Sequence, residues 1–400
     1  MTISGATRGP ASALAEALDD ESLYAGDPFP LYARLRNEEP VAWNAHLGYW
    51  AVSRHADVVA VSRDSDLFCS GKGILTFEIG VEYPTPPTMM HTDPPAHTRY
   101  RKLAQPGFAP SVIRALEPAV RERAQGLVAA LEPGEAVDFV SAVSVPFPLM
   151  IISDLLGVPT DDWMRFFHWS EAAIPGATDM TEEERQQLMA DMHEYLLEMT
   201  RVRRADPRED LISVLANVEV DGENLSDAEL VMFLNQLLVA GNETTRNMVS
   251  GGMWAFAQNP DQWQRLVADR SLVPSAVEEW LRWTTSVIAF MRTATSDTVV
   301  GGTRVHAGDP LLLLYASANR DEAEFGPTAD QFDIGRQPNH HVAFGFGAHF
   351  CIGAALARLE GRALLDALLD RFTTVEPAGE IERTPSSIIA GVRAAPLRLS

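Results

Sequence analysis

Cysteine is almost missing. Cys69 and Cys351 are the two cysteines in 400 residues, which excludes a disulfide scaffold and points to a reducing cytoplasm. Long hydrophobic runs are missing as well. No apolar stretch reaches the roughly 18 residues that a membrane span requires. Positive charge is scarce: 32 Lys and Arg stand against 55 Asp and Glu, a formal net charge of -23. Such a chain repels nucleic acid and anionic membranes at long range. Arg99-Tyr100-Arg101-Lys102 is the one dense basic cluster. The start, MTISGATRGPASALAEALDD, lacks the basic head and apolar core of a secretory signal. Residues 1–20 are expected to form a flexible segment, ahead of a single domain over 21–400. No internal repeat is visible.

What is present is an ordinary core-forming composition, 46% hydrophobic and 22% charged. VAWNAHLGYWAVS predicts a hairpin, and HADVVAVSRD after it a short helix. Residues 71–95 carry five prolines and little periodicity, the mark of a long loop that serves as a lid or binding segment. Residues 109–270 read as mainly helical. The longest helix runs from Asp227 to about Gln258, opened by the capping-box pair Ser226 and Glu229 and closed by Asn259-Pro260. Its length of about 45 Å takes it through the middle of the molecule. Strand patterns return after residue 297, in DTVVGGTRVHAGDPLLLLYASANRD, RFTTVE and VRAAPLRLS. The expected fold is mainly α with small β-sheets beside the helical body.

The stretch HHVAFGFGAHFCIG, 340–353, sets Cys351 among glycines and aromatics just before a helical run, GAALARLEGRALLDAL. Amide groups at a helix N-terminus stabilise a thiolate. A nucleophilic cysteine needs a base, yet His349 is two residues away on the chain and does not naturally face it. Zinc and iron–sulfur sites need more soft ligands than two distant cysteines supply. A single thiolate suffices for haem, whose other ligands belong to the porphyrin. A buried structural cysteine remains the plain alternative at this point. Cys69, in DLFCS, reads as structural.

The long helix carries AGNETT at 240–245. Gly241 costs a helix about 1 kcal/mol relative to alanine. Glu243 and Thr244 set an acid beside an alcohol inside an apolar run, a pair able to relay protons through water. The small Ala240 and Gly241 let a flat group approach; a helix crossing would also want them. In AVEEWLRW, Glu279 and Arg282 share a helical face. In HTDPPAHTRYRKL, His97 and Arg101 share another, and two cations on one face want an anion. Arg292 is a third candidate cation.

Phe344-x-x-Gly347-x-x-x-Cys351-x-Gly353 resembles the haem loop of the cytochrome P450 family without a gap, and the resemblance extends over about residues 25–399. It implies the cytochrome P450 fold, with haem b (iron protoporphyrin IX) between the long central helix and the cysteine loop and helix. Cys351 is then the iron ligand, and Phe344 the aromatic near the sulfur. His349, His97, Arg101 and Arg292 hold haem propionates, and Ala240, Gly241 and Gly353 border the haem. AGNETT resembles the family's central-helix signature, with Glu243 and Thr244 as its catalytic pair. Glu279, Arg282 and Arg336 match the structural brace behind the haem.

Family topology places a substrate pocket among Leu75 and Phe77 of the loop, Val239 of the helix, Val287, Ile288 and Phe290 of the following turn, and Ile388 near the C-terminus. Their aliphatic character suggests a steroid, terpenoid or lipid-like substrate. Glu82 and Tyr83 belong to the same loop. The implied activity is hydroxylation with O2 and two electrons. No flavin or nicotinamide fingerprint occurs in the chain, so a ferredoxin and its reductase are the expected donors, with Arg99 and Lys102 as a docking face. The protein is expected to be a cytoplasmic monomer. A peroxide-driven or oxygen-independent haem–thiolate enzyme, a haem sensor or carrier without turnover, and a cysteine hydrolase are the rival readings.

Overall fold

A computed structural model describes residues 9–81, 88–159, 162–173, 180–220 and 222–400. Helices dominate. The longest, Asp227–Gln258, has the expected capping box, in which the Ser226 hydroxyl accepts from the Glu229 amide and the Glu229 carboxylate accepts from the Ser226 amide. Leu230, Leu234, Leu238, Val249, Met253 and Phe256 on this helix are buried in the main core. That core also takes in helices Pro110–Ala129, Pro146–Leu156, Val273–Thr284 and Ala354–Leu369. A helix buried on nearly every side needs no wide polar face, which is why its sequence reads as almost continuously apolar.

A five-stranded sheet stands beside the helices. Its spatial order is Val41–Asn44, Tyr49–Val52, Pro310–Leu314, Ala289–Ala294 and Phe68–Cys69. The first two strands are the expected antiparallel hairpin, with Gly48 at a φ of 77° supplying the turn. Pro310–Leu314 is central in the sheet and buried along its whole length because both its faces are covered, Leu312 and Leu314 packing in one core and Leu311 and Leu313 in another. The segment YASA after it, read as part of a strand, is a short helix, Tyr315–Ala318.

The start of the chain departs from expectation. Residues 1–8 lie outside the described residues, but from Ala13 the chain is helical and packed. Leu14, Ala15 and Leu18 are buried in a second core with Tyr32, Leu35, Ile288 and Leu312. The Ser12 amide donates to the Trp43 carbonyl at 2.9 Å, and Asn44 donates to the Ala15 carbonyl at 3.0 Å. Apolar side chains within a polar-looking leader find a partner face on the sheet, and that burial offsets the entropy of ordering them.

Candidate functional site

The loop of residues 342–353 folds back on itself to present its cysteine. Gly345 and Gly347 have φ values of 68° and 74°. A Cβ at Gly347 would stand 2.3 Å from the Ser62 carbonyl oxygen, so no other residue fits there. The Cys351 amide donates to the Phe344 carbonyl at 2.9 Å, pinning the turn. The helix Ala354–Leu369 begins directly beyond it.

Cys351 opens onto a cavity of about 490 Å³ deep in the protein. It is accessible to a ligand in that cavity yet removed from bulk water. Burial therefore pushes its thiol pKa up; the amides of Gly353 and Ala354 and the charges of Arg101 and Arg358 pull the other way but do not win. The expected amide stabilisation is thus present but outweighed. Among the described residues no group of three or more His, Cys, Asp or Glu side chains is placed to hold a metal. Cys351 is therefore not one corner of an all-protein metal cage.

The opposite wall of the cavity is the central helix. Ala240, Gly241, Glu243, Thr244 and Thr245 all line it. The Thr244 hydroxyl donates to the Ala240 carbonyl one turn back, at 2.6 Å, and the Thr244 carbonyl accepts from Ser286 at 2.8 Å. A Cβ at Gly241 would lie 2.7 Å from the terminal methyl of Ile152, so the glycine lets the helix Pro146–Leu156 cross closely without that side chain having to move. Glu243 is 3% exposed. It sits 3.3 Å from Arg246 and accepts from Asn247 at 3.0 Å, while its second oxygen has no partner among the described residues. Arg246 is drawn off by Glu171 at 2.8 Å. Burial raises the Glu243 pKa; Arg246 opposes this and Glu171 adds to it.

Sequence reasoning missed a second acid on this cavity. Glu360, on the helix after the cysteine, is buried and accepts from the Thr245 hydroxyl at 3.2 Å. Burial pushes its pKa up to about 8, with the Thr245 hydrogen bond opposing. The signal was a lone carboxylate amid the apolar face of ALARLEGRALLDALL.

Arginines and histidines gather on one side of the same cavity. His97, Arg101, Arg292 and His349 line it together. The rings of His97 and His349 are 4.2 Å apart, and His349 contacts the Ser70 hydroxyl at 3.1 Å. The His97 Nε2 is buried without a partner among the described residues. Arg292 donates to the Met291 carbonyl at 2.6 Å. Burial, then Arg292, His97 and Arg101, hold His349 down at about 3. The two guanidiniums of Arg101 and Arg292, with two imidazoles able to donate beside them, suit an anion in this space. A flat macrocycle carrying two carboxylates and a metal that takes a thiolate ligand would fit this donor set, with Cys351 as the thiolate and the arginines and histidines on the carboxylates.

Leu75, Phe77, Val239, Val287, Phe290 and Ile388 line the cavity as expected, with Phe344 and Gly353 near the cysteine. Ile288 does not. It is 4% exposed in the second core. Alternation along the strand Ala289–Ala294 turns Phe290 and Arg292 to the cavity and Ala289 and Met291 to the second core, and Ile288, just ahead of that strand, packs with the latter pair. Glu82 and Tyr83 lie outside the described residues. Five methionines, Met89, Met90, Met189, Met232 and Met248, share the lining. Arg99 lies 3.5 Å from Glu229 and is engaged, not free for docking.

Behind the cysteine loop stands the brace. Glu279 and Arg282 are both fully buried, with Arg282 donating to the carboxylate at 2.6 and 2.8 Å. Arg336 lies 3.3 Å from Glu279. Arg282 also donates to the Asn319, Ala329 and Gln331 carbonyls, so its donors are saturated. A second brace was not foreseen. Glu278 accepts from Arg358 at 2.7 Å and lies 3.1 Å from His341, and the Arg358 guanidinium stacks 4.7 Å from the Phe344 ring.

Comparison with known proteins matches residues 134–397 to the family model described as cytochrome P450. A putative cytochrome P450 of Mycobacterium tuberculosis is 37% identical over 397 residues, covering 94% of this chain and 95% of that relative. The steroid C26-monooxygenase of Mycolicibacterium smegmatis is 38% identical, covering 92% of this chain and 89% of its own. The linalool 8-monooxygenase of Pseudomonas putida is 36% identical, covering 92% and 94%. Among solved structures, a Mycobacterium marinum cytochrome P450 in complex with pseudoionone superposes with a TM-score of 0.90 at 33% identity, over 98% of this chain and 100% of that one.

Proposed function

Because this chain belongs to the cytochrome P450 family of haem–thiolate monooxygenases, we propose that it uses haem b, O2 and electrons from a ferredoxin system to hydroxylate a steroid, terpenoid or lipid-like molecule. The observation that carries the reading is the cavity itself. One space is bounded by a cysteine sulfur, a helix wall bearing an acid beside an alcohol, and a cluster of cations. Relatives named for steroid, linalool and methyl-branched lipid oxidation support the substrate class. The apolar lining supports it too. Among the described residues no helix is long and apolar enough to cross a membrane, and we place the enzyme in the cytoplasm.

Cys351 would ligate the haem iron, with His97, Arg101, Arg292 and His349 on the propionates. When bound, that group supplies the O2 activation which amino-acid side chains lack. The residues of the chain govern the rest. Val239, Val287, Phe290 and Ile388 exclude water and hold an apolar substrate against the helix wall. Thr244 needs only to release the Ala240 carbonyl to offer its hydroxyl to the cavity. Glu243, neutral more readily than an exposed carboxylate, holds a proton one residue away. Arg246 and Glu171 keep that carboxyl pointed along its own helix. Glu360, protonated up to about pH 8, keeps a second proton at Thr245.

The test is spectroscopic. Dithionite-reduced protein under carbon monoxide should give the strongly red-shifted Soret band of thiolate-ligated haem, and Cys351→Ala should lose it. Turnover of a hydrophobic panel with NADPH, a ferredoxin and its reductase should depend on all three. Haem that binds without the shifted band, in protein grown with adequate haem, sinks the proposal.

A further inference from the structure

The second brace holds two fixed charges behind the cysteine loop. Glu278 lies on the helix Val273–Thr284, and Arg358 lies about one turn into the helix Ala354–Leu369. Arg358 meets the carboxylate in two parallel bonds, at 2.7 and 2.9 Å. The His341 Nε2 stands 3.1 Å from the same carboxylate. Its Nδ1 accepts the Ala343 amide at 3.3 Å, so the ring proton sits on the nitrogen that faces Glu278. Burial alone would raise the Glu278 pKa, but the bonds from His341 and Arg358 overcome it and hold the group at about 2. Glu278 is therefore an anion and Arg358 a cation at any pH where the fold stands.

These charges lie within reach of the sulfur. The Arg358 guanidinium is 4.7 Å from the centre of the Phe344 ring, and the Phe344 carbonyl accepts the Cys351 amide at 2.9 Å. Arg358 is one of the charges that pull the Cys351 pKa down against the burial that raises it. Both side chains of the pair are 30% exposed, so water screens them only in part. Together they nearly cancel at the sulfur. Either one alone would act on it as a net charge.

We propose that Glu278 and Arg358 are positioning residues that act through Cys351 and set how readily the centre held there takes up an electron. Glu278 offsets the Arg358 charge and keeps the reduction potential below the value that Arg358 by itself would give. This role rests on the haem–thiolate reading and deepens it. The step concerned is the transfer of one electron from the ferredoxin system. It makes and breaks no bond in the protein and leaves the centre one unit more negative. An unopposed cation nearby therefore favours the step, and an unopposed anion hinders it.

The experiment is a spectroelectrochemical titration of the substrate-free holoenzyme with small-molecule mediators, so that docking of a protein partner plays no part. It is run at pH 8, above the ordinary range of imidazoles. Glu278→Gln keeps an oxygen for its partners but removes the charge. Its ferric–ferrous equilibrium should move toward ferrous by about three- to tenfold, or about 30–60 mV at 59 mV per tenfold. Arg358→Gln should move it the other way by a similar factor. The two changes combined should return it to near the wild-type value, and Arg358→Lys, which keeps the charge, should stay closer to wild type than Arg358→Gln. Opposite signs separate charge from mechanics, because a loosened loop that admits water moves both single variants the same way. Each protein is checked by its reduced carbon monoxide spectrum. Should one single variant fail to hold haem, the sign is read from the double variant against the surviving single one, which differ by one charge. Shifts of the same sign, or of less than about twofold, with the red-shifted Soret band intact, overturn the role of the pair and leave the monooxygenase reading standing. Absence of that band in wild type overturns the reading instead.

Discussion

Thr244 and Glu360 are two polar residues on the wall of the cavity, and each makes its own prediction. Thr244 makes no side-chain bond that the fold depends on beyond one to its own helix, so Thr244→Ala should leave stability and substrate-induced spin shift nearly unchanged. Product formed per NADPH consumed should fall by about tenfold or more, against the roughly 10²–10⁴-fold that a positioned proton donor can contribute. Parallel assays of NADPH, O2 and product check this; full coupling in the variant would deny Thr244 its role. Glu360 makes the opposite kind of prediction. Its folded pKa is raised from 4.5 to about 8 by burial. Between those values the folded chain keeps a proton that the unfolded chain releases, so stability falls as pH rises. The slope in mid-window is about 1.4 kcal/mol per pH unit for this one group. Glu360→Gln should flatten it, leaving the variant relatively more stable at pH 8 than at pH 5. Urea unfolding at the two pH values reads the difference.

At the scale of elements, the brace between Val273–Thr284 and the loop before the cysteine decides whether the site exists. Glu279→Ala leaves Arg282 and Arg336 buried without their carboxylate, which costs about 3–5 kcal/mol. The expected outcome is poor haem retention and a lowered Tm, read from the ratio of Soret to protein absorbance during heating. Much of this architecture was legible in advance. Ser226 and Glu229 announced the central helix, glycines 345 and 347 announced a tight loop, and Glu279-x-x-Arg282 showed its pairing through helical spacing. Partners distant in sequence were not legible. Glu278 meets His341 and Arg358 across 63 and 80 residues, and Glu243 shares Arg246 with Glu171 from another helix. No local pattern encodes such meetings. Ile288 failed for a different reason. Its apolar character announces burial but not which of two packed spaces it enters, and it stands just ahead of the strand in which regular alternation begins.

Across the whole molecule, the packed leader ties the chain's start to the sheet that carries Arg292. Leu14 and Leu18 are 7% and 2% exposed. Deleting residues 1–20 should cost about 3–6 kcal/mol from these two side chains alone. A drop in Tm measured on the truncated holoenzyme checks this, and an unchanged Tm would return the segment to a dispensable leader. The cation cluster matters at this scale too. A chain with a net charge of -23 keeps five of its basic and histidine side chains on the wall of one interior space, so its acidic exterior does not describe its interior.

The methionine lining gives the enzyme a working lifetime. Thioethers adapt to differently shaped guests, but they are also fuel for any oxidant that misses its target. An unproductive cycle would put Met89, Met90, Met189, Met232 and Met248 within reach of oxidation to sulfoxides. A guest that fits loosely therefore does more than react slowly. It leaves behind a more polar, more hydrated chamber that receives the next guest less well, so selectivity wears away with use and a well-fitting substrate acts as the protein's own antioxidant.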